Sequence, residues 1–249
     1  MEHLPYALQL FTIRDHMAQD AAETLKRVKQ IGYDNVEVAG MAGLGAADFR
    51  RLLDDNGLTA VSAHYGLDAF AGEINRVIEE CQTLDLKHVV MPAANADSEE
   101  GWVDIAQTLD QAGAELRRES IQLSYHNHAR EFDSMGGRTI FDIIFSNSAE
   151  ENLTAQIDTF WAYHAGVDPA ALIRQYAGRC PLLHIKDAAP QGQEPIFADL
   201  GTGTMDLQAV LEAGKEVGAQ WYIVEQDQCA GDSLESARIG AEFMARQQV

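Results

Sequence analysis

The sequence predicts a single (β/α)8 barrel occupying residues 1–249 as one domain. Three observations predict it. Short strand-type runs alternate with helical patterns along the whole chain, with no linker and no shift in composition. The runs number eight, and 249 residues shared among eight strand-helix units give about 31 each, the size of one barrel repeat. Where a doubly wound open sheet places a glycine-rich phosphate turn after its first strand, this chain reads LQLFTIRD.

The first strand is read at Tyr6–Phe11. Ile31-Gly32-Tyr33 ends the helix before the second, Asn35–Val38, and Asn56-Gly57-Leu58 ends the helix before the third, Thr59–His64. An amphipathic face follows, with Phe70, Ile74, Val77, Ile78, Cys81 and Leu84 at offsets 0, 4, 7, 8, 11 and 14, leading to the fourth strand, His88–Met91. Gln122–Asn127, Thr154–Asp158 and Leu182–Lys186 are the fifth, sixth and seventh. A second amphipathic stretch, with Leu207, Val210, Leu211 and Val217, closes at Gly218 before the eighth, Trp221–Glu225.

Composition narrows the function. Hydrophobic residues make up 46% and charged residues 23%, enough apolar material for a large core. Lys plus Arg total 18 against 39 Asp plus Glu, and the net charge of −21 repels nucleic acid and anionic lipid surfaces. Cys81, Cys180 and Cys229 are odd in number and form no CxxC pair, which suits a reducing, cytoplasmic location. MEHLPYALQLF lacks the pattern of an export leader, and no run reaches the roughly 18 apolar residues of a membrane span, so neither export nor insertion is expected.

In such barrels the reactive groups come from the C-terminal ends of different strands. Those ends are rich in polar residues here: Gln9, Glu37, His64, His126, His128, Glu131, Asp158, His184, Lys186, Asp187 and Glu225. Carboxylates gathered at one mouth repel and need a cation or a proton. Glu131, Asp158, His184 and Glu225, spaced by 27, 26 and 41 residues, supply three carboxylates and one imidazole, a mostly hard set suited to Mn2+, Mg2+ or Co2+. Asp199–Asp206 carries two glycines that either bring backbone to a substrate or make turns.

Taken in order, LQLFTIRD, NVEVAG, YHNHAREF, QIDTFW, LLHIKD and IVEQD resemble the xylose-isomerase-like barrels, a superfamily of sugar phosphate isomerases and epimerases that includes ketose 3-epimerases and inosose dehydratases. The resemblance covers nearly the whole chain. It implies a divalent metal, Mn2+ first, held by Glu, Asp, His and Glu. Asp158, His184 and Glu225 match those motifs, while on the fifth strand Glu131 is taken as the ligand, with His126 or His128 as the alternative.

The expected reaction is proton abstraction next to the carbonyl of a carbohydrate or polyol, through a metal-stabilised enediolate. Glu131 and Glu225 are its acid-base pair, and His126, His128 and His64 its candidate relays. Gln9, Glu37, His64, Lys186 and Asp187 are expected at the substrate. Isomerisation or epimerisation is the leading outcome and a lyase or dehydratase the alternative; a sugar-binding barrel without turnover and a metal-dependent hydrolase are the rivals from other classes. Endonuclease chemistry is disfavoured by the charge. Trp102, Trp161 and Trp221 serve either the core or the interface of a homo-oligomer.

Overall fold

Residues 4–192 and 196–247 are described by the structure, a computed structural model. Eight parallel strands close on themselves: Tyr6–Gln9, Asn35–Val38, Thr59–His64, His88–Met91, Gln122–His126, Leu153–Asp158, Leu182–Ile185 and Trp221–Val224. Each pairs with its sequence neighbours, and the eighth returns to the first through Tyr6–Tyr222, Ala7–Ile223 and Leu8–Val224. Helices connect the strands and pack outside, as the alternating pattern requires.

Side chains alternate faces along a strand, so one strand can serve two cores. Leu8, Val36, Val89, Leu123, Leu183 and Val224 face outward and join the helices in the main apolar core. Ala7, Val61, Val90, Leu182 and Ile223 form a smaller layer inside the barrel. Two residues beyond Ala7, Leu182 and Ile223 stand Gln9, His184 and Glu225, all buried. The parity that fills the barrel with aliphatic side chains therefore carries polar ones to its mouth.

Local chemistry sets the helix ends. In the longest helix, Glu99–Arg118, the Ser98 side chain accepts from the Gly101 amide at 3.1 Å, with Glu99 and Glu100 in the first turn and Arg117 and Arg118 in the last. That arrangement answers the helix dipole at both ends. Midway along, Gly113 lies against the Asn152 carbonyl so closely that any Cβ would collide with it.

Three differences from the sequence reading have physical causes. The first ladder stops at Gln9 because its side chain accepts from the Phe11 amide and turns Leu10–Ile13 into a 3-10 helix. The apolar face beginning at Phe70 is split between the helices Leu67–Gly72 and Ile74–Leu84, since Glu73 leaves the helical region at φ −129° and ψ 28°. The fifth, seventh and eighth ladders end one residue earlier than predicted, at His126, Ile185 and Val224. Gly32 and Gly218 end their helices in the left-handed conformation, as expected.

Candidate active site

The mouth is organised around Glu37. A register shift between Val36 and Glu37 skips Val61 and sets Glu37 opposite Ser62, both facing inward. The fully buried carboxylate then faces five donors. Oε1 accepts from Ser62 Oγ at 2.6 Å and from Gln156 Nε2 at 2.7 Å. Oε2 lies 2.7 Å from Gln9 Nε2, 3.0 Å from His64 Nε2 and 2.6 Å from His184 Nε2. Burial alone would raise the Glu37 carboxyl, but His64 and His184 hold it well below the usual range.

A carboxylate that only accepts dictates the protons around it. Gln156 must donate its amide to Glu37, so its oxygen faces His126 Nδ1 at 2.9 Å and His64 Nε2 at 3.2 Å. His126 therefore carries its proton on Nδ1 and points a lone pair from Nε2 at Asp158 Oδ2, 3.5 Å away. Burial, followed by the charges of His184, His128, Lys186 and His64, pushes His126 well below the ordinary imidazole range, so it is neutral.

Asp158 spends Oδ1 on the Trp161 amide at 2.9 Å, capping the helix Thr159–His164. Asn127 exchanges two hydrogen bonds with the Asp158 backbone, 3.0 and 3.2 Å long, and joins the ends of the fifth and sixth strands. Asp158 Oδ2 is buried without a hydrogen-bond donor, although Lys186 Nζ stands within ion-pair distance at 2.8 Å. His184 bridges two acids, its Nε2 on Glu37 and its Nδ1 2.7 Å from Glu225 Oε2. Burial works against its proton, but Glu225 and Glu37 outweigh that and raise it to about 10. Lys186 is wholly buried and lies 2.8, 2.6 and 2.6 Å from Asp158, Glu225 and Asp227.

His126, Asp158, His184 and Glu225 offer four donor atoms that all lie within 4.8 Å of one another, and His64, His126 and His184 form an overlapping second group. A lone pair facing an undonated carboxylate oxygen is an arrangement that a cation between them relieves. Two imidazoles and two carboxylates are a mixed nitrogen-oxygen set, which suits Mn2+, Co2+ or Zn2+ better than Mg2+.

On the fifth strand the structure places Glu131 outside the four-donor group. Glu131 sits in the short 3-10 turn Arg130–Phe132, accepting from the Tyr125 hydroxyl and the His128 amide, each at 2.7 Å. Both oxygens are committed to its own strand end, and His126 stands in the four-donor group instead. His128 is half-buried, its ring 5.0 Å from His126 and 5.5 Å from Trp161.

The residues expected at the substrate are mostly occupied. Gln9 and Glu37 are fully buried and hold each other and the imidazoles. Asp187 accepts from the amides of Ala188, Gly201, Gly203 and Met205, so it anchors the loop after the seventh strand. Gly203 is needed there because a Cβ would strike Asp187 and the Ala188 carbonyl. His64 keeps a partly exposed edge. The sequence reading gave no role to Ser62, Gln156 or Asp227, which lie two residues from His64, Asp158 and Glu225; strand parity was the signal that could have found Ser62 and Gln156.

A cavity of about 500 Å3 lies away from this mouth, lined by Tyr163, Asp168, Arg174, Met205, Asp206 and Val210. Its charged groups are already engaged: Asp168 and Asp206 cap helices and Arg174 pairs with Glu216 at 2.6 Å.

The family profile of the xylose isomerase-like TIM barrel matches residues 25–247. The chain belongs to that family. Among curated relatives, the rhizopine catabolism protein MocC of Rhizobium meliloti is 23% identical over 264 residues, covering 90% of this chain and 80% of its own. An inosose dehydratase of Lacticaseibacillus casei is 24% identical over 149 residues, 53% of this chain and 49% of its length. Among solved structures, a sugar phosphate isomerase/epimerase from Parabacteroides distasonis superposes with a TM-score of 0.85 at 21% identity, covering 99% and 95% of the two chains. The IolI protein with a bound zinc atom superposes at 0.74 and 16% identity, covering 97% and 96%. At these identities the superpositions speak for the fold. No helix among the described residues is long and apolar enough to cross a membrane.

Proposed function

We infer that this xylose isomerase-like barrel is a divalent-metal-dependent enzyme that removes a proton next to the carbonyl of a carbohydrate or polyol. The observation that carries this reading is the convergence of His126, Asp158, His184 and Glu225 within 4.8 Å. Those four residues would hold the ion, and Mn2+, Co2+ or Zn2+ fits them; the zinc in IolI is in keeping with that choice. When bound, the ion supplies Lewis-acid stabilisation of the negative charge that develops on the substrate oxygen.

The chain's own groups do the rest. Glu225 is ionised and available as a base: burial would raise its carboxyl, but Lys186 and His184 hold it well below the usual range. Gln156 keeps the His126 proton on Nδ1, and Glu37 keeps a proton on His184 Nε2, so the opposite nitrogens face the centre. With Glu131 tied to Tyr125 and His128, the second acid-base group is an imidazole. His64 and His128, the two partly exposed imidazoles at the mouth, are placed for that role.

Return of the proton to the substrate gives isomerisation or epimerisation, the first reading. Elimination of a neighbouring hydroxyl or aglycone is the second. It is favoured by the loss of a matched carboxylate pair, because an imidazolium is a competent acid for a leaving oxygen, and by the similarity to inosose dehydratase. An unphosphorylated substrate suits the mouth. Lys186 faces three carboxylates, Arg14 donates to the Phe11 and Asp227 carbonyls, and Arg130 is held by Asn95 and the Ala96 carbonyl.

The test is incubation of the Mn2+-loaded protein in heavy water with ketoses, inososes and 3-keto-glycosides. Deuterium is expected at the carbon next to the carbonyl of the turned-over compound. Turnover without solvent deuterium in any product overturns the proton-abstraction reading.

A further inference from the structure

Two cations drawn to the same pair of oxygens repel and compete with each other. Asp158 has only Oδ2 to offer an ion, because Oδ1 is held by the Trp161 amide. Glu225 turns Oε2 toward His184 Nδ1 at 2.7 Å. Lys186 Nζ lies 2.8 Å from that same Asp158 oxygen and 2.6 Å from that same Glu225 oxygen. The ammonium thus bridges two of the four donors that an incoming divalent ion requires.

Its third partner differs in kind. Asp227 Oδ2, 2.6 Å from Nζ, belongs to no four-donor group, and its side chain is 20% exposed, whereas Asp158 and Lys186 are sealed from solvent. Asp227 is also fixed from behind, since Arg14 Nη2 donates to its carbonyl at 2.8 Å. On the remaining side of the ammonium stand the rings of Trp161 and Phe197, each 6.0 Å from Nζ. A cation displaced from Asp158 and Glu225 therefore has a prepared acceptor and an aromatic wall to move along.

We propose that Lys186 is a built-in stand-in for the metal: its ammonium holds Asp158 and Glu225 together in the metal-free protein and withdraws onto Asp227 when the ion binds. Lys186 is a positioning residue in this scheme. It keeps the acids from springing apart before loading, and it sets the affinity for the ion by competing with it. The withdrawal of the ammonium itself makes or breaks no covalent bond, and Lys186 keeps its proton throughout. The inference rests on the metal-binding reading given above.

The experiment measures Mn2+ binding to chelator-stripped full-length protein by calorimetry, alongside melting temperature with and without Mn2+. Lys186→Gln keeps a hydrogen-bond donor and removes the charge. It is expected to melt lower than the parent without metal, and to bind Mn2+ at least about tenfold more tightly because its competitor is gone. Equal or weaker binding by Lys186→Gln overturns the proposal, since a residue that only supports the site would weaken the ion when removed.

Asp227→Asn keeps the proposal testable if Lys186→Gln does not fold. Deprived of its acceptor, Lys186 stays on the ligand oxygens, and Mn2+ binding weakens about tenfold. Unchanged binding in Asp227→Asn overturns the proposal. In the double variant the Asp227→Asn effect should vanish; a persisting effect would mark Asp227 as a ligand and also overturn it. A parent protein that binds no Mn2+, Co2+ or Zn2+ defeats the metal reading itself, a result distinct from either variant outcome.

Discussion

Replacing Glu131 by Gln separates support from ligation on the fifth strand. The Glu131 carboxylate is 2% exposed and accepts from the Tyr125 hydroxyl and the His128 amide, each at 2.7 Å. Hydrogen bonds to a charged acceptor contribute about 1.5–3 kcal/mol apiece. Gln keeps one of them through its carbonyl and turns an amide donor toward the other donor, so the loss is about 2 kcal/mol. For a chain of this length about 2–4 °C accompanies each kcal/mol, and the melting temperature should fall by about 4–8 °C. Metal affinity, read by Mn2+ calorimetry on stripped protein, should change less than about threefold, because Glu131 contributes none of the four clustered donors. Tyr125→Phe should reproduce part of the thermal loss with the same indifference to metal. His126→Ala, by contrast, removes a donor and should weaken Mn2+ about 100-fold, the upper end of what losing even a supporting partner costs a metal site. Abolished binding in Glu131→Gln together with intact binding in His126→Ala would refute this assignment.

Loading a divalent ion at pH 7 should release about one proton, because His184 is raised to about 10 by Glu225 and Glu37 and must give up its Nδ1 proton to bind; calorimetric heats that do not vary with the buffer's ionisation heat would contradict this. The same raised group makes the metal-free protein lose stability as pH climbs through about 10, since its stabilising contribution is complete only below the unfolded value of about 6.5. His88 works in the opposite sense: burial lowers it, with Gln220 at 3.0 Å on Nε2, so the unfolded chain takes the proton more readily and stability falls as pH drops below about 6.5. Melting curves from pH 7 to 5 should show that decline, and His88→Gln should flatten it. Gly113→Ala should destabilise by about 1–3 kcal/mol, despite the better helix propensity of Ala, because the new methyl meets the Asn152 carbonyl; an unchanged or raised melting temperature would show that the backbone can yield there.

The barrel was legible because its two periods are written in the residue types. Runs such as His88–Met91 and Trp221–Glu225 fall within a residue of the observed ladders. Asp158, His184 and Glu225 could be placed together because Asp158 closes its strand, Glu225 follows its own and His184 stands one residue before the end of the seventh, where parity decides which way a side chain points. Glu131 could not be placed that way. It lies five residues past His126, in a turn whose direction is set by two hydrogen bonds that no periodicity encodes. Gln9 and Glu37 were visible as inward polar residues, but their use was hidden: nothing in NVEVAG announces that Glu37 satisfies five donors from four other strands. The break at Glu73 was masked by the apolar spacing from Phe70 to Leu84, which runs unbroken across it.

The knot of polar side chains tied by Glu37 reaches beyond the ladders its strand makes with the first and third, to Gln156 on the sixth and His184 on the seventh. It behaves as a hoop drawn tight inside the rim, leaving the loops above free to vary. Anyone wishing to redirect this scaffold toward a new compound should graft those loops and leave the hoop alone, for exchanging one of its members unsettles three or four walls of the vessel at once.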